Sequence, residues 1–228
     1  AEGLGEDFKV EEIGNKDTGK VFECISKSQT YRKIQTPVPG RYQAQNAALA
    51  IRALEFVAAN NHRSLDEAKV RDALQNTRIP GRFEMVNEDP VVILDAAHNP
   101  DKIASLTTGL KRLYQPDEVV FVCAFTSGRN PRDLFLPMLE VSRTFYLTRS
   151  IVGFREDEEP LYLKHFLVSV DFEVTAHIAL DPFRALDLAM YEAQKQRKVV
   201  CVTGSAYLVG YVRQRWYPEH SLLRFEEG

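Results

Sequence analysis

The fold is decided by the run Val91-Val92-Ile93-Leu94-Asp95-Ala96-Ala97-His98-Asn99-Pro100. Its opening residues are continuously apolar, which is typical of a parallel strand buried on both faces. Asn99 then places a capping side chain directly before Pro100, an order with which many helices begin. A buried strand that passes through a short loop into a helix is the repeating unit of parallel α/β sheets.

The same unit recurs through the rest of the chain. Apolar runs predict further strands at residues 119–124, 144–147, 172–175 and 199–202. The pairs Asn130-Pro131 and Asp181-Pro182 predict helix starts, Glu159-Pro160 predicts a weaker one, and a last helix is expected over about residues 205–216. This alternation predicts a Rossmann-like α/β fold over residues 80–228, a doubly wound and mostly parallel sheet with helices on both faces.

The first third of the chain has a different sequence pattern. Runs rich in β-branched and aromatic residues at 7–13, 21–26 and 31–38 predict a small antiparallel meander. A helix is expected over about residues 42–59, and a second one from Ser64, with Ser64 as N-cap and Glu67 completing a capping box, to just before Thr77. The stop signal Arg78-Ile79-Pro80-Gly81 predicts a domain boundary, with domains at residues 1–79 and 80–228.

Composition excludes several classes of protein. A net charge of -3 provides no basic field for a phosphate backbone, so we expect no nucleic-acid partner. No apolar stretch approaches the roughly 20 residues of a membrane span, and no membrane partner is expected. The widely spaced Cys24, Cys123 and Cys201 indicate a reducing cytoplasm. Because the chain begins with Ala, we also expect it to be a piece of a longer protein.

Ligands of open α/β sheets bind beyond the carboxyl ends of the strands, where helix N-termini present free N–H groups. Asp95 and His98 emerge there in one loop, and an Asp in this place can accept hydrogen bonds from ribose hydroxyls. Thr203-Gly204-Ser205 follows another strand, and its small residues let an anion approach the backbone. The loop Thr126-Ser127-Gly128-Arg129-Asn130 could hold an anion through Arg129.

Each of these junctions also has a purely structural interpretation. Asp95 could only cap local backbone, and His98 could be an ordinary loop histidine. Ser205 could be an N-cap and nothing more, and the loop with Arg129 is predicted to be a plain solvated loop.

A near match to a phosphate loop, Gly14-Asn15-Lys16-Asp17-Thr18-Gly19-Lys20-Val21, fails at its last position. A phosphate loop needs a Ser or Thr there and a helix that begins there, whereas the residues from Val21 onward form a strand pattern. We therefore predict a hairpin turn. No Gly-x-Gly-x-x-Gly motif occurs in the sequence, so the nicotinamide-dinucleotide fingerprint is missing.

Four motifs taken together resemble the folylpolyglutamate synthase/dihydrofolate synthase family of the Mur ligase superfamily. They are Gly-Arg-Tyr-Gln-Ala-Gln-Asn-Ala-Ala-Leu-Ala at residues 40–50, Pro80-Gly81-Arg82-Phe83-Glu84, residues 95–100, and Val202-Thr203-Gly204-Ser205-Ala206-Tyr207-Leu208. The four motifs occur in the order in which the family has them, over about residues 6–216. A chance match of all four is therefore less credible than a chance match of any one.

The resemblance implies a Mg²⁺- and ATP-dependent ligase. In such enzymes a folate γ-carboxylate becomes an acyl phosphate, the amine of L-glutamate attacks it, and ADP and phosphate leave. Residues 1–79 would be the tail of the central ATP-binding domain, without its phosphate loop, and residues 80–228 the carboxyl-terminal Mur ligase domain. The resemblance further implies that the missing amino-terminal ATPase domain is a partner, that it carries the Mg²⁺ ligands, and that the protein is a monomer. The isolated chain is expected to be inactive.

The same resemblance suggests roles for individual residues. Asn46 would contact the adenine end of ATP, Arg82 would reach the nucleotide, and Asp95 would hold the ribose. The expected substrate-binding residues are His98, Thr203 and Ser205, and no residue is assigned to catalysis.

The sequence departs from the family at two places. Tyr42 stands where the family usually has His, and residues 128–133 resemble its acidic-basic-acidic loop only loosely. Two alternatives therefore stay open: another Mur-type amino-acid ligase, and a stand-alone, non-catalytic module that binds a nucleotide or another ligand.

Overall fold

The protein, seen in a computed structural model, is described over residues 8–12, 21–36, 41–151 and 156–218. It divides into two compact units, Ala1–Ile79 and Pro80–Gly228. The predicted hairpin turn at residues 14–21 lies almost wholly outside the described residues, as do residues 37 and 38 of the third predicted strand. Every helix in the described part of the chain is too short or too polar to span a bilayer.

The first unit is a three-stranded antiparallel meander with two helices. Strands β1 (Phe8–Glu12), β2 (Val21–Ser26) and β3 (Thr30–Gln35) pair in chain order, which confirms the predicted meander. Helices α1 (Arg41–Asn60) and α2 (Glu67–Asn76) follow. One face of the meander packs on α1 through a small apolar core that includes Phe22, Tyr31, Ile34, Ala48 and Ile51.

The predicted N-cap of α2 was wrong by two residues. Ser64 does not cap this helix, because the Asp66 carboxylate accepts hydrogen bonds from the backbone N–H groups of Ala68 and Lys69 at 2.8 and 3.2 Å. Glu67 therefore completes no capping box and instead accepts a hydrogen bond from the Arg32 N–H at 3.0 Å. Asp66, two residues closer to the apolar residues of the helix, sets the helix start.

The second unit is a six-stranded sheet in the order β4-β5-β9-β6-β7-β8. Its strands are β4 (Glu84–Glu88), β5 (Val91–Leu94), β6 (Val119–Cys123), β7 (Thr144–Leu147), β8 (Thr175–Ile178) and β9 (Val199–Thr203). β4 runs antiparallel to β5, and every other pair is parallel, which confirms the predicted mostly parallel sheet.

Helices cover both faces of this sheet. They are α3 (Pro100–Leu113), α4 (Pro131–Leu139), α5 (Pro160–Val170), α6 (Pro182–Gln196) and α7 (Ala206–Arg213). One core cluster joins α3, α4 and α5 to one face, and a second cluster joins α6 and α7 to the other. Asn99, Asn130 and Asp181 each cap the helix that they precede, as predicted, whereas Glu159 makes no side-chain cap bond.

Two edge strands differ from the prediction. The strand expected at residues 172–175 lies at Thr175–Ile178, because Asp171 ends α5 and turns the chain by accepting a hydrogen bond from the Glu173 N–H at 2.9 Å. Phe172, which suggested a strand, is 87% exposed. Strand β4 was not predicted, since its polar sequence Glu-Met-Val-Asn-Glu lacks a buried strand's apolar run.

Candidate functional site

The candidate site lies at the carboxyl ends of β5 and β9. These two strands are parallel neighbours, but the helices that follow them leave to opposite faces of the sheet, α3 to one and α7 to the other. In an open α/β sheet a crevice forms where successive helices diverge in this way, and ligands bind there. The loops 95–99 and 203–205 border this crevice.

Asp95 is the most constrained polar residue of the site. It is 5% exposed, and its two carboxylate oxygens accept hydrogen bonds from the backbone N–H groups of Phe83 and Ala97, each at 2.8 Å. One side chain thus fixes both the segment before β4 and the loop after β5. Each carboxylate oxygen keeps a second lone pair, which could accept a hydrogen bond from a ribose hydroxyl. The predicted ribose contact stays a prediction.

Burial raises the pKa of the Asp95 carboxyl above its ordinary value. The N–H groups of Phe83 and Ala97 and the positive charges of Arg82 and Lys102 act in the opposite direction. The carboxylate is therefore costly to bury, and the hydrogen bonds and nearby cations offset part of that cost.

The carbonyl of Ala97 ties the two loops of the site together. It accepts hydrogen bonds from the Gly204 N–H at 2.9 Å and from the Thr203 hydroxyl at 3.3 Å. Thr203 is fully buried, so its hydroxyl serves this connection, and its predicted substrate contact stays a prediction. Gly204 has φ +97°, and a Cβ at this position would lie 2.4 Å from the Ala124 carbonyl oxygen, so only glycine fits.

Ser205 is the N-cap of α7. Its hydroxyl oxygen accepts hydrogen bonds from the N–H groups of Tyr207 and Leu208 at 3.2 and 3.5 Å, and the residue is 3% exposed. The structural interpretation of Ser205 therefore holds. Its predicted contact with substrate is untested and stays a prediction.

His98 stands half-buried at the mouth of the loop after β5. Its Nδ1 lies 2.8 Å from the Ala96 carbonyl oxygen, which can only accept, so Nδ1 carries the proton. Its Nε2 lies 3.5 Å from the Lys102 ammonium. The ring is thus held in one orientation, with Nδ1 bonded to the Ala96 carbonyl and Nε2 directed at the Lys102 ammonium.

Arg82 sits in a short segment with unusual backbone geometry on both sides. Gly81 and Phe83 have φ +64° and +47°. Within the described residues the Arg82 side chain has no hydrogen-bond or ion-pair partner, although its charge acts on Asp95. A half-buried guanidinium without a carboxylate partner is suited to an anionic ligand.

Sequence reasoning missed an ion pair beneath this segment. Arg213, near the end of α7, contacts both carboxylate oxygens of Glu84 at 2.8–3.1 Å. Glu84 belongs to the quoted Pro-Gly-Arg-Phe-Glu motif, but Arg213 is 129 residues away, and the sequence carries no signal that pairs them.

The third junction, the loop with Arg129, is exposed over residues 127–130. The Gly128 N–H donates to the Glu158 carboxylate at 3.3 Å, and Asn130 caps α4. This geometry agrees with the prediction of a plain solvated loop.

Asn46 belongs to the first unit, where it lies exposed on α1. It lines a cavity of about 230 Å³ between α1 and α2, together with Thr36, Gln43, Ala47, Ala50, Leu74, Thr77 and Ile79. The walls are mostly apolar and include the amides of Gln43 and Asn46, which suits a flat and partly polar ring. The predicted adenine contact of Asn46 stays a prediction.

Among the described residues, no group of three or more His, Cys, Asp or Glu side chains could hold a metal ion. We derive no chemical step through Mg²⁺.

Comparison with known proteins agrees with this geometry. A family model described as the C-terminal domain of dihydrofolate synthetase matches residues 75–215. The dihydrofolate synthase/folylpolyglutamate synthase of Bacillus subtilis is 26% identical over 211 residues, which cover 86% of this chain and 44% of that protein. The folylpolyglutamate synthase of Lacticaseibacillus casei is 31% identical over 115 residues, covering 50% of this chain and 27% of that protein.

A solved structure supports the fold. Mycobacterium tuberculosis folylpolyglutamate synthase, complexed with ADP and AMPPCP, superposes with a TM-score of 0.83 at 22% identity, covering 95% of this chain and 49% of that one. The chain thus spans less than half the length of the relatives that it matches.

Proposed function

Because the chain belongs to the dihydrofolate synthetase C-terminal domain family, we propose that it is the carboxyl-terminal portion of an ATP-dependent, amide-forming ligase. The whole protein would join L-glutamate to the γ-carboxylate of a folate or to dihydropteroate. The carboxylate takes the terminal phosphoryl group of ATP and forms an acyl phosphate and ADP. The glutamate amine then attacks the acyl carbon, an amide bond forms, and phosphate leaves.

One observation carries this proposal: Ser205, distant in the sequence, belongs with Arg82, Asp95 and His98 to the segments joined at the carboxyl ends of β5 and β9. The Arg82 cation, the oriented His98 imidazole and the N-terminus of α7 suit the anionic groups of a nucleotide, and the Asp95 carboxylate can accept hydrogen bonds from its ribose hydroxyls.

In this proposal each residue contacts a different part of the ligands. Arg82 reaches the nucleotide, Asp95 holds the ribose, and Asn46 contacts the adenine. His98, whose ring is oriented by the Ala96 carbonyl, and Ser205 and Thr203, at the start of α7, lie on the side of the folate and glutamate. We also propose a cytoplasmic location, which the three buried free thiols support.

The test is a chimera in which this chain replaces the matching half of the M. tuberculosis enzyme. We expect ATP- and glutamate-dependent lengthening of a folate, measured by mass spectrometry, and about a 100-fold loss of turnover in the Arg82→Ala chimera. The isolated chain should show no turnover.

Three outcomes would contradict the proposal. Ligase turnover by the isolated chain would show that it is not a portion of the enzyme. Amino-acid transfer to a muramoyl peptide, and not to a folate, would favour another Mur-type ligase. ATP binding by a folded chimera without transfer to any acceptor would favour a non-catalytic binding module.

A further inference from the structure

The segment that carries Arg82 is held at three backbone points. The Gly81 N–H donates to the Glu84 carboxylate at 2.8 Å, and the Gly81 carbonyl accepts from the Ala96 N–H at 2.8 Å. On the other side, the Phe83 N–H donates to Asp95 at 2.8 Å. The backbone of Arg82 is thus fixed immediately before and immediately after its Cα.

Glu84 is itself oriented by Arg213. The guanidinium contacts one carboxylate oxygen through Nη2 at 2.8 Å and the other through Nε at 2.9 Å, and both side chains are only 18% exposed. This two-point geometry allows a single carboxylate orientation, in which Oε2 also faces the Gly81 N–H. The Tyr217 ring, 4.0 Å from the guanidinium carbon, holds the Arg213 guanidinium from a further side.

The segment also packs directly on α7. A Cβ at position 81 would lie 2.9 Å from the Val209 side chain, so this close approach requires glycine. The helix that begins at Ser205 therefore supports the Arg82 segment through Val209 and, near its end, through Arg213.

We propose that Glu84 and Arg213 form a positioning pair, which holds the backbone at Arg82 so that its guanidinium meets the nucleotide in one orientation. This inference rests on the proposed function, in which Arg82 reaches the nucleotide. Neither Glu84 nor Arg213 is expected to touch the ligand. They act through Gly81, whose N–H donates to the Glu84 carboxylate at 2.8 Å.

The first experiment measures the segment without any ligand. In the 228-residue chain, Glu84→Gln should raise the amide hydrogen-exchange rate of Gly81 about tenfold and lower the backbone NMR order parameter of Arg82. The fold should persist, because the Trp216 indole also donates to Asn87 of β4 at 3.3 Å and the apolar contacts of α7 remain. An unchanged Gly81 exchange rate would overturn the proposal.

The matched control is Asp171→Asn, which breaks another ion pair of the same unit, Asp171 with Arg143 at 2.8 Å. It should leave exchange at Gly81 and the order parameter of Arg82 unchanged. An equal effect of both variants on Gly81 would mean general destabilisation and would also overturn the proposal.

The second experiment separates positioning from stability. Glu84→Arg combined with Arg213→Glu restores an ion pair but leaves the Gly81 N–H without its carboxylate. We expect this swap to recover most of the melting temperature and none of the Gly81 protection. Recovery of Gly81 protection together with stability would show that the pair acts only as a structural clamp.

Calorimetric titration with ATP then links the segment to the ligand. We expect Glu84→Gln to weaken ATP binding about tenfold, and Asp171→Asn to leave it unchanged. If the segment loosens while ATP affinity stays the same, the pair does not serve the nucleotide and the inference fails. If the unaltered chain binds no ATP, the proposed nucleotide site of this chain fails, whereas amide exchange still decides whether Glu84 and Arg213 hold the segment.

Discussion

Two loops of the sheet, the one after β5 and the one after β8, look alike in sequence and differ in structure. Each contains an Asp, and each runs into a helix whose first residue is Pro. Asp181, after β8, is exposed and accepts one hydrogen bond from its own helix, from the Arg184 N–H at 2.7 Å. Asp95, after β5, is buried and accepts from two separate segments.

The difference follows from position in the sheet. β8 is an edge strand, so its loop has a neighbour on one side only, whereas β5 lies between β4 and β9. A loop with neighbours on both sides can be tied to both of them, and the loop after β5 bonds to Gly81 and Gly204. Asp181, directly before α6, is therefore a cap at the edge of this sheet, whereas Asp95, at the end of β5, organises the site within it.

The largest effect that would sharpen this comparison is expected from Asp95→Ala. It leaves the buried N–H groups of Phe83 and Ala97 unpaired, which should lower the free energy of unfolding by about 2–5 kcal/mol. Asp181→Ala removes only an exposed cap and should cost about 1 kcal/mol. Urea unfolding followed by the fluorescence of Trp216, the single tryptophan, measures both. Equal losses would break the comparison.

Gly204→Ala should have the next largest effect, about 2–4 kcal/mol of the free energy of unfolding. The new Cβ meets the Ala124 carbonyl oxygen at 2.4 Å, and the left-handed backbone adds strain. The control is Gly128→Ala in the exposed loop after β6, where φ is +79° but no atom lies within 4 Å. Strain alone should cost about 1–2 kcal/mol there. If Gly128→Ala proved as costly as Gly204→Ala, close approach would not distinguish the loop after β9 from the loop after β6.

The ion pair of Glu84 predicts how the stability of the protein changes with pH. Burial raises its pKa, but the hydrogen bonds from Arg213 and from the Gly81 N–H outweigh burial and leave the pKa below its ordinary value of 4.5. A lowered folded-state pKa contributes stability that is present above pH 4.5 and is lost as the pH falls through the folded-state value. Glu84→Gln should thus cost about 1–3 kcal/mol at pH 7, and this difference should shrink steadily below pH 4.5. A difference independent of pH would exclude the ion pair as its source.

Much of this fold could be predicted because the local sequence patterns agree with the burial and capping of the same residues in the folded sheet. The apolar runs of β5, β6, β7 and β9 are buried on both faces, and the Asn-Pro and Asp-Pro pairs begin their helices where expected. β4 and β8 were missed or shifted because an edge strand needs no continuous apolar run. The cap of α2 moved from Ser64 to Asp66, since two acceptors compete within three residues and sequence alone does not rank them.

The sequence predicted where the candidate site lies, but not which of its residues are hydrogen-bonded to one another. Strand ends identified Asp95, His98 and Ser205, and the family motif added Arg82. Nothing local indicates that Asp95 bonds Phe83 or that Arg213 orients Glu84, because these contacts join residues brought together only by the sheet order. For the same reason, the role of Ser205 as a cap was clear from sequence, whereas its role toward substrate still needs a measurement.

The smallest expected effect tests whether Ser205 only caps α7 or also contacts substrate. Ser205→Ala removes the cap of α7 and should cost about 1 kcal/mol, whereas Ser205→Asn keeps a capping oxygen and should change stability by only a few tenths of a kcal/mol. If Ser205 also meets substrate, Ser205→Asn in the ligase chimera should raise the KM for glutamate by more than any change in the unfolding midpoint explains, because the larger amide replaces the hydroxyl that substrate would contact. Turnover that merely follows stability in both variants would limit Ser205 to capping. The loop after β9 would then resemble the loop after β8, where the polar side chain serves its own helix.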